Sequence, residues 1–289
     1  MLKPLAALAA LLAHASGTIA TSRAPPPPPP PPCTDKEFAA GQCMRLVRVA
    51  AADKTAVCLD GSPGVFYWHP ATDPKHKNDW ILSFKGDGWC FDAQDCLGRS
   101  KNGFGGSDFL ANFTRGWNGG ELGGNDKDFG GFNKVILENC DGASLTGDVA
   151  EPLLVRNAAR PQEPATPIYF RGRHIRDAIF DTLLDPLGPY GMAKAENVLL
   201  TGCSSGGLAA YLHSDWAHAL MKKRAPKLKK FKTLGVSGFF LQHDSVQGKP
   251  VYQTQVRCLV VVEVVVVVVL LALLVLLLSL NRHTRWPMS

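Results

Sequence analysis

The segment that most constrains the fold is a strand pattern joined to a helix pattern by the sequence Gly-Cys-Ser-Ser-Gly. Residues 197–201 form a short apolar run typical of a buried strand, and a helix pattern begins near Gly206. A G-x-S-x-G turn at such a junction is typical of a nucleophile elbow, whose strained backbone presents the serine hydroxyl. The pattern therefore predicts that Ser204 is a catalytic nucleophile.

Strand and helix patterns alternate on both sides of this junction. Strands are predicted at 80–84, 134–138, 167–170 and 234–240, and helices from Ile175 to before Pro186 and over 206–224. We expect an α/β fold of α/β-hydrolase type in residues 33–256, with a mostly parallel sheet and flanking helices, incomplete at the C-terminus. The glycine-rich stretch 116–131 is predicted to be a surface loop bordering the substrate cleft.

Both ends of the chain depart from globular composition. Residues 1–20 have the form of a secretory signal peptide, and 21–32 are a proline-rich linker. Residues 259–280 are almost entirely Val and Leu, long enough to span a bilayer, and a short basic tail follows at 281–289. Two interpretations of 259–280 remain open, a membrane span or a low-complexity artefact of the gene sequence. The protein is accordingly expected to be secreted, or a type I membrane protein if the span is real.

Eight cysteines in an exported chain indicate disulfide bonds. The proposed pairs are Cys90 with Cys96 and, as a second choice, Cys58 with Cys140, whereas Cys203 is expected to be a small buried packing residue. No Cys or His spacing typical of a metal site occurs, so we expect neither a metal nor a cofactor.

A basic cluster and a glycosylation motif complete the features of the chain, which has a net charge of +6. The cluster consists of Lys222, Lys223, Arg224, Lys227, Lys229, Lys230 and Lys232. It could attract an acidic polysaccharide or an anionic membrane, or it could be a solvated helix end, which is the favoured interpretation. No motif accompanies it that would indicate nucleic-acid binding. Asn112 begins the one N-x-S/T sequon.

Several blocks of sequence between Cys58 and Trp216 resemble the pectin acetylesterase family, which includes the Notum-like carboxylesterases. The blocks are CLDGSPGVFYWHP, NDWILSFKGDGWC, ENCDGASLTGDV, YFRGRHI and AENVLLTGCSSGGLAAYLHSDW, in this order. The resemblance implies a secreted serine esterase that removes acyl groups, such as acetate from the pectin of cell walls.

The same resemblance implies roles for individual residues. Ser204 matches the nucleophile, and the backbone N–H of Ser205 matches an oxyanion-hole donor. Further donors are implied in the loop of Asp87, Gly88 and Trp89. The chain departs from the family there, because Asp87 replaces a usual glycine and Lys85 a usual glutamate.

A serine esterase also needs a histidine and a carboxylate. The resemblance implies that both follow Ser204, but it fades after about residue 240. Asp244 with His243 or His283 remain as candidates, and His213 is expected to be a surface residue of a helix. We therefore assign no catalytic histidine.

Three functions are consistent with these features. The favoured one is an esterase that removes acetyl groups from a polysaccharide such as pectin, or from another acyl ester, through a Ser204 acyl-enzyme. The second is a catalytically incomplete, membrane-anchored binding member of the family, unless the sequence itself is a truncated gene model. A Notum-like protein deacylase is the third, and acetylated polysaccharide is favoured over lipidated protein. The sequence leaves the oligomeric state open.

Overall fold

The computed structural model describes residues 31–49, 55–115, 120–241 and 243–250. The predicted signal peptide, nearly all of the proline-rich linker, the 259–280 segment and the basic tail lie outside these residues, as do Cys258 and His283. Within the described ranges, no helix combines the length and the hydrophobicity needed to cross a membrane.

The helices and strands all lie in the unit Cys33–Ser289. The strands are β1 Met44–Arg48, β2 Val65–His69, β3 Asp79–Phe84, β4 Phe113–Thr114, β5 Asn133–Leu137, β6 Leu153–Val155, β7 Thr166–Ile168, β8 Asn197–Cys203 and β9 Lys230–Val236. The helices are α1 Asp35–Ala39, α2 Ala93–Arg99, α3 Gly172–Leu183 and α4 Ser205–Arg224.

A mixed sheet forms the centre of the fold, with the strand order β4-β1-β2-β5-β3-β8-β9. The half formed by β5, β3, β8 and β9 is parallel, whereas β1, β2 and β4 pair antiparallel, and β2 joins β5 antiparallel. The strand predicted at 167–170 is not in this sheet. It is β7, which pairs with β6 in a separate two-stranded ribbon.

Both faces of the parallel half are covered, which is why all six residues of β3 are buried. One face packs Leu82, Leu137 and Leu200 against α3 and α4. The other face packs Ile81, Ile136 and Leu199 against the segment that precedes β5. Because successive strand residues point to opposite faces, the continuous apolar runs in the sequence serve both cores.

Helix α4 packs on the sheet through small residues near its start and a larger one near its end. Ala209 and Ala210 are buried, and so is Met221. A Cβ on Gly207 would lie 2.7 Å from the Val236 carbonyl oxygen. Close packing against the end of β9 therefore requires a small residue at the start of α4.

The described part of the glycine-rich segment is a loop that is anchored to the sheet by buried residues. Leu122 and Phe132 are buried in the core of the second sheet face. Lys134, fully buried at the start of β5, donates from Nζ to the carbonyls of Leu122 and Gly123 at 2.8 and 3.0 Å. Residues between these anchors, such as Asn125, are exposed, and the location of the segment beside the substrate cleft stays a prediction.

Three disulfides link the described cysteines. Cys58 is bonded to Cys140 and Cys90 to Cys96, and Cys33 to Cys43, a pair that the sequence did not suggest. Cys203 is a free and exposed thiol, not the buried packing residue expected. It is the last residue of β8, at the carboxyl end of that strand directly before Ser204, and its side chain is exposed there.

The basic cluster lies at the end of the sheet opposite Ser204, because α4 ends and β9 begins there. Arg224 pairs with Asp181 and Lys229 with Glu196, while the side chains of Lys222, Lys223 and Lys230 are exposed.

Candidate active site

Ser204 occupies the turn between β8 and α4, as the sequence predicted. Its backbone has φ 57° and ψ −124°, a region that non-glycine residues rarely adopt. The strain is held by the strand before it, the helix after it, and a hydrogen bond from its N–H to the Val236 carbonyl at 2.9 Å. The geometry is that of a nucleophile elbow with a half-buried serine at its tip.

Two glycines allow the neighbouring backbones to meet at this turn. A Cβ on Gly206 would lie 2.1 Å from the carbonyl oxygen of Phe84, the last residue of β3. A Cβ on Gly86 would lie 1.9 Å from the Cys203 carbonyl oxygen and 3.2 Å from the Ser204 Cβ. The elbow, residues 202–206, and the loop of residues 85–89 are therefore in direct backbone contact.

The 85–89 loop is held by the side chain of Ser205, the residue after the elbow serine. The backbone N–H groups of Asp87 and Gly88 donate to Ser205 Oγ at 3.0 and 2.9 Å. Ser205 is fully buried. Two of the predicted oxyanion donors are thus turned toward this hydroxyl, while the N–H of Ser205 lies in the first turn of α4, where no intrahelical acceptor exists.

Trp89 is fixed by a second serine. Its indole Nε1 donates to Ser144 Oγ at 2.7 Å, and Ser144 Oγ donates to the Ser205 carbonyl at 3.0 Å. Ser144 has φ 56°, and the next residue, Leu145, has φ 58°. The buried carboxylate of Asp141 accepts the N–H groups of this turn and so supports the strained backbone.

A lysine and two carboxylates lie at the start of the 85–89 loop. Lys85 Nζ is 2.8 Å from Glu138 Oε2 and 3.3 Å from Asp87 Oδ2. Burial raises the pKa of the Glu138 carboxyl, which is 1% exposed. Burial opposes the charge of Lys85, but attraction to Glu138 and Asp87 outweighs it and raises the pKa of the ammonium. Lys85 therefore stays protonated and does not serve as a general base.

His213 lies in the core beneath the elbow, not on the helix surface as predicted. Its Nδ1 is 2.9 Å from Arg176 Nη1, and its Nε2 is 2.9 Å from the Ser144 carbonyl. Burial lowers the pKa of His213 to about 4, and the charge of Arg176 acts in the same direction. Both ring nitrogens are occupied, so this imidazole supports the site without contacting the Ser204 hydroxyl.

The five other described histidines contact groups other than Ser204: His69 Nδ1 is 2.7 Å from the Pro70 carbonyl, and His218 stacks on Phe231 with ring centroids 5.0 Å apart. His174 is 2.7 Å from Asp148, His76 is 2.7 Å from Asp79, and His243 is 2.6 Å from the carbonyl of its neighbour Asp244. Across residues 31–49, 55–115, 120–241 and 243–250, no imidazole hydrogen-bonds the hydroxyl of Ser204. Within the same ranges, no group of His, Cys, Asp or Glu side chains could hold a metal ion.

The structure thus brings together Ser204, Ser205 and the 85–89 loop, all three named from the sequence. Asn112, the predicted glycosylation residue, is exposed, and its carbonyl accepts the Leu46 N–H. Sequence analysis missed Ser144 and Glu138. Glu138 had a detectable signal, since it follows a buried strand with a lysine at the end of the neighbouring one, but nothing in the spacing of Ser144 indicated its position.

Comparison of the sequence with known proteins finds pectin acetylesterases. The family model described as Pectinacetylesterase matches residues 38–265. Pectin acetylesterase 11 and Pectin acetylesterase 7 of Arabidopsis thaliana are 34% and 33% identical to this chain over 208 residues. These matches cover 71% of the chain but 48% of each relative. The chain spans about half the length of the curated relatives it matches.

Solved structures show the same fold at lower identity. Two crystal forms of the Wnt deacylase Notum from Drosophila match with TM-scores of 0.55 and 0.56 at 22% and 20% identity. The matches cover 70% and 71% of this chain, and 54% and 55% of the Notum chains. This similarity supports the α/β-hydrolase-like architecture described above.

Proposed function

Because this chain belongs to the pectinacetylesterase family, we propose that it is a serine carboxylesterase that removes acetyl groups from a polysaccharide such as pectin. The observation that carries the proposal is the backbone of Ser204, with φ 57° and ψ −124° at the junction of β8 and α4. This conformation is costly and is retained where the surrounding structure must present one side chain to a substrate.

The reaction would proceed in two acyl transfers. Ser204 Oγ attacks the ester carbonyl and loses its proton to a base, and the carbonyl oxygen becomes an oxyanion. The N–H groups of Ser205 and Trp89 are our candidates for the donors to that oxyanion, since those of Asp87 and Gly88 are engaged by Ser205 Oγ. The sugar hydroxyl leaves with the proton, and water then releases acetate from Ser204.

The base and its carboxylate are not assigned. His213 is occupied on both nitrogens, and the Lys85 ammonium is paired with Glu138 and Asp87. Both groups therefore stay unassigned in this proposal.

We further propose that the protein passes through the secretory pathway. Three disulfides among the described residues suit an oxidising compartment. Secretion would bring the protein to acetylated cell-wall polysaccharide. Anchorage to a membrane through residues 259–280 stays a prediction from the sequence.

The test is acetate release by the full chain, secreted from a eukaryotic host, with acetylated pectin and with p-nitrophenyl acetate as substrates. We expect release from both, and loss of at least about a thousand-fold in the Ser204→Ala variant. Release from p-nitrophenyl acetate alone would retain the esterase and remove the polysaccharide as its substrate. No release from either substrate would contradict the enzymatic proposal.

A second candidate is polysaccharide binding without turnover. One observation favours it, the lack of any imidazole bonded to the Ser204 hydroxyl within the described residues. It predicts that wild type and Ser204→Ala bind acetylated pectin equally and that neither releases acetate. The first candidate predicts release by the wild type alone.

A further inference from the structure

Three successive residues of the 85–89 loop are each held by a serine hydroxyl from another part of the chain. The N–H groups of Asp87 and Gly88 donate to Ser205 Oγ, and the indole N–H of Trp89 donates to Ser144 Oγ. The sequence separations of these pairs are 118, 117 and 55 residues. Contacts over such separations fix the loop relative to the elbow rather than merely closing a local turn.

The two serines are also joined to each other. Ser144 Oγ donates to the carbonyl of Ser205 at 3.0 Å, and the Ser144 carbonyl is 2.9 Å from Nε2 of His213 on α4. Both serines are buried, with exposed fractions of 0% for Ser205 and 2% for Ser144. Water therefore cannot easily replace either hydroxyl, and each bond lost would leave an N–H group of a half-buried loop residue without its acceptor.

The backbone of Ser144 shows that its position is imposed by its surroundings. A φ of 56° is unfavourable for a serine, and a second left-handed residue, Leu145, follows directly. Three N–H groups of the turn donate to the buried carboxylate of Asp141, which compensates part of this cost. The result is a hydroxyl placed between Trp89 and the elbow.

We propose that the hydroxyls of Ser205 and Ser144 are positioning groups that lock the loop of Asp87, Gly88 and Trp89 onto the nucleophile elbow. This inference rests on the proposed esterase function for its catalytic consequence. Neither hydroxyl takes part in the bond changes. They hold the N–H groups of Trp89 and Ser205 at a fixed distance from Ser204 before substrate arrives, so that no reorganisation is needed when the oxyanion forms.

The inference is tested first without substrate, by amide hydrogen exchange of the full chain observed by NMR. Ser205→Ala is expected to speed the exchange of the Asp87 and Gly88 amides by roughly ten-fold or more, because both lose their acceptor. Ser144→Ala is expected to speed exchange of the Trp89 indole N–H in the same way. Ser205→Cys keeps a weak acceptor and should give an intermediate rate.

Ser214→Ala is the matched control. Ser214 lies on the same helix, and its hydroxyl is hydrogen-bonded to Thr233 Oγ1 at 2.6 Å, away from the loop. It should leave exchange in the 85–89 loop unchanged. Wild-type exchange rates of the Asp87 and Gly88 amides in Ser205→Ala would overturn the proposal, and so would equal changes in Ser214→Ala.

Steady-state kinetics distinguish a positioning role in catalysis from a purely structural one, because only the positioning role predicts a specific fall in kcat. In an active protein, Ser205→Ala should lower kcat by about 10- to 100-fold with KM within about two-fold, since the donors act mainly in the transition state. Unchanged kcat alongside faster exchange would also overturn the positioning role. If the wild type releases no acetate, the esterase proposal fails, and the exchange rates alone decide whether the serines lock the loop.

Discussion

The elbow of residues 202–206 carries no charged side chain, whereas the 85–89 loop on the other side of the site carries Lys85 and Asp87. The elbow is held by backbone packing, with Gly206 against the Phe84 carbonyl and the Ser204 N–H on the Val236 carbonyl. The loop is held by side chains, through Ser205, Ser144 and the contact of Lys85 with Glu138.

This difference determines how each side responds to substitution. A backbone contact without free space cannot accept one additional carbon atom, whatever its chemistry. A loop held by hydroxyls and charges tolerates changes of shape but responds to the removal of a partner and to pH. Both charged side chains of the site, Lys85 and Asp87, lie on the loop side, while the G-x-S-x-G motif forms the elbow.

The largest effect is expected where the two sides touch, at Gly86. In Gly86→Ala the Cβ would lie 1.9 Å from the Cys203 carbonyl oxygen. Neither backbone can easily move away, because Gly86 closely follows β3 and Cys203 is the last residue of β8. We expect a loss of about 3 kcal/mol in the free energy of unfolding, and a fall in acetate release of roughly a hundred-fold. Urea denaturation and acetate release measure the two effects.

Gly98→Ala is the control for this prediction. Gly98 lies in α2, and a Cβ there would have no heavy atom within 4 Å. The free energy of unfolding of Gly98→Ala should rise by up to about 1 kcal/mol, because alanine favours a helix more than glycine does. Equal stability of the two variants would remove the claim that the elbow is held by backbone packing.

The next effect concerns the ion pair of the loop. Lys85→Met leaves the buried Glu138 carboxylate without its cation. We therefore expect the free energy of unfolding to fall by about 3 kcal/mol at pH 8. The loss should shrink as the pH is lowered, because burial raises the pKa of Glu138 and a raised pKa lets the carboxyl take up a proton in the folded state. Chemical denaturation at several pH values measures this dependence.

The double variant Lys85→Met with Glu138→Leu separates lost charge pairing from lost packing. It should recover most of the stability, because no buried charge remains. If the double variant is as unstable as Lys85→Met at every pH, the two side chains stabilise the loop through packing and not through charge pairing.

A comparable effect is expected under the elbow, but only in acid. Burial lowers the pKa of His213 to about 4, so the folded protein keeps a neutral imidazole while the unfolded chain takes up a proton near 6.5. The stabilisation is complete above pH 6.5 and is lost as the pH falls toward about 4, by roughly 3 kcal/mol in total. His213→Gln should lack this part of the pH dependence. Parallel stability curves of wild type and variant between these pH values would contradict the prediction.

The smallest effect is expected at Asp87. Asp87→Asn removes one negative charge near the developing oxyanion, a charge now balanced in part by Lys85 at 3.3 Å. We expect acetate release to rise a few-fold, with stability changed by less than about 1 kcal/mol. Steady-state kinetics at fixed ionic strength test this, and a decrease in kcat would show that the carboxylate supports the loop rather than opposing the reaction.

The elbow side was predictable from the sequence, and the loop side only in part. Strands β3, β5 and β8 each contain a short apolar run, and the G-x-S-x-G motif specifies its own local geometry, so Ser204 could be placed without coordinates. The position of Lys85 beside Asp87 was suggested by sequence proximity. The partner Glu138 required the register of β3 with β5, which pairs Phe84 with Leu137.

What could not be predicted depends on contacts between distant segments. The roles of Ser205 and Ser144 follow from side-chain directions across three loops, which no periodicity encodes. Cys203 was expected to be buried because Ser204 takes the exposed position of the elbow, but the Cys203 side chain is exposed as well. The antiparallel half of the sheet was missed because β1 and β2 lack the helices that make a βαβ pattern recognisable.

Trapping the acyl-enzyme shows whether Ser204 carries the acyl group. The full chain is incubated with p-nitrophenyl acetate, quenched in acid, and analysed by intact mass and peptide mapping. We predict one added acetyl group on the peptide that contains Ser204, absent in Ser204→Ala and retained in Ser205→Ala. An acetyl group found only on another residue, or equal acetylation of the Ser204→Ala variant, would contradict the account.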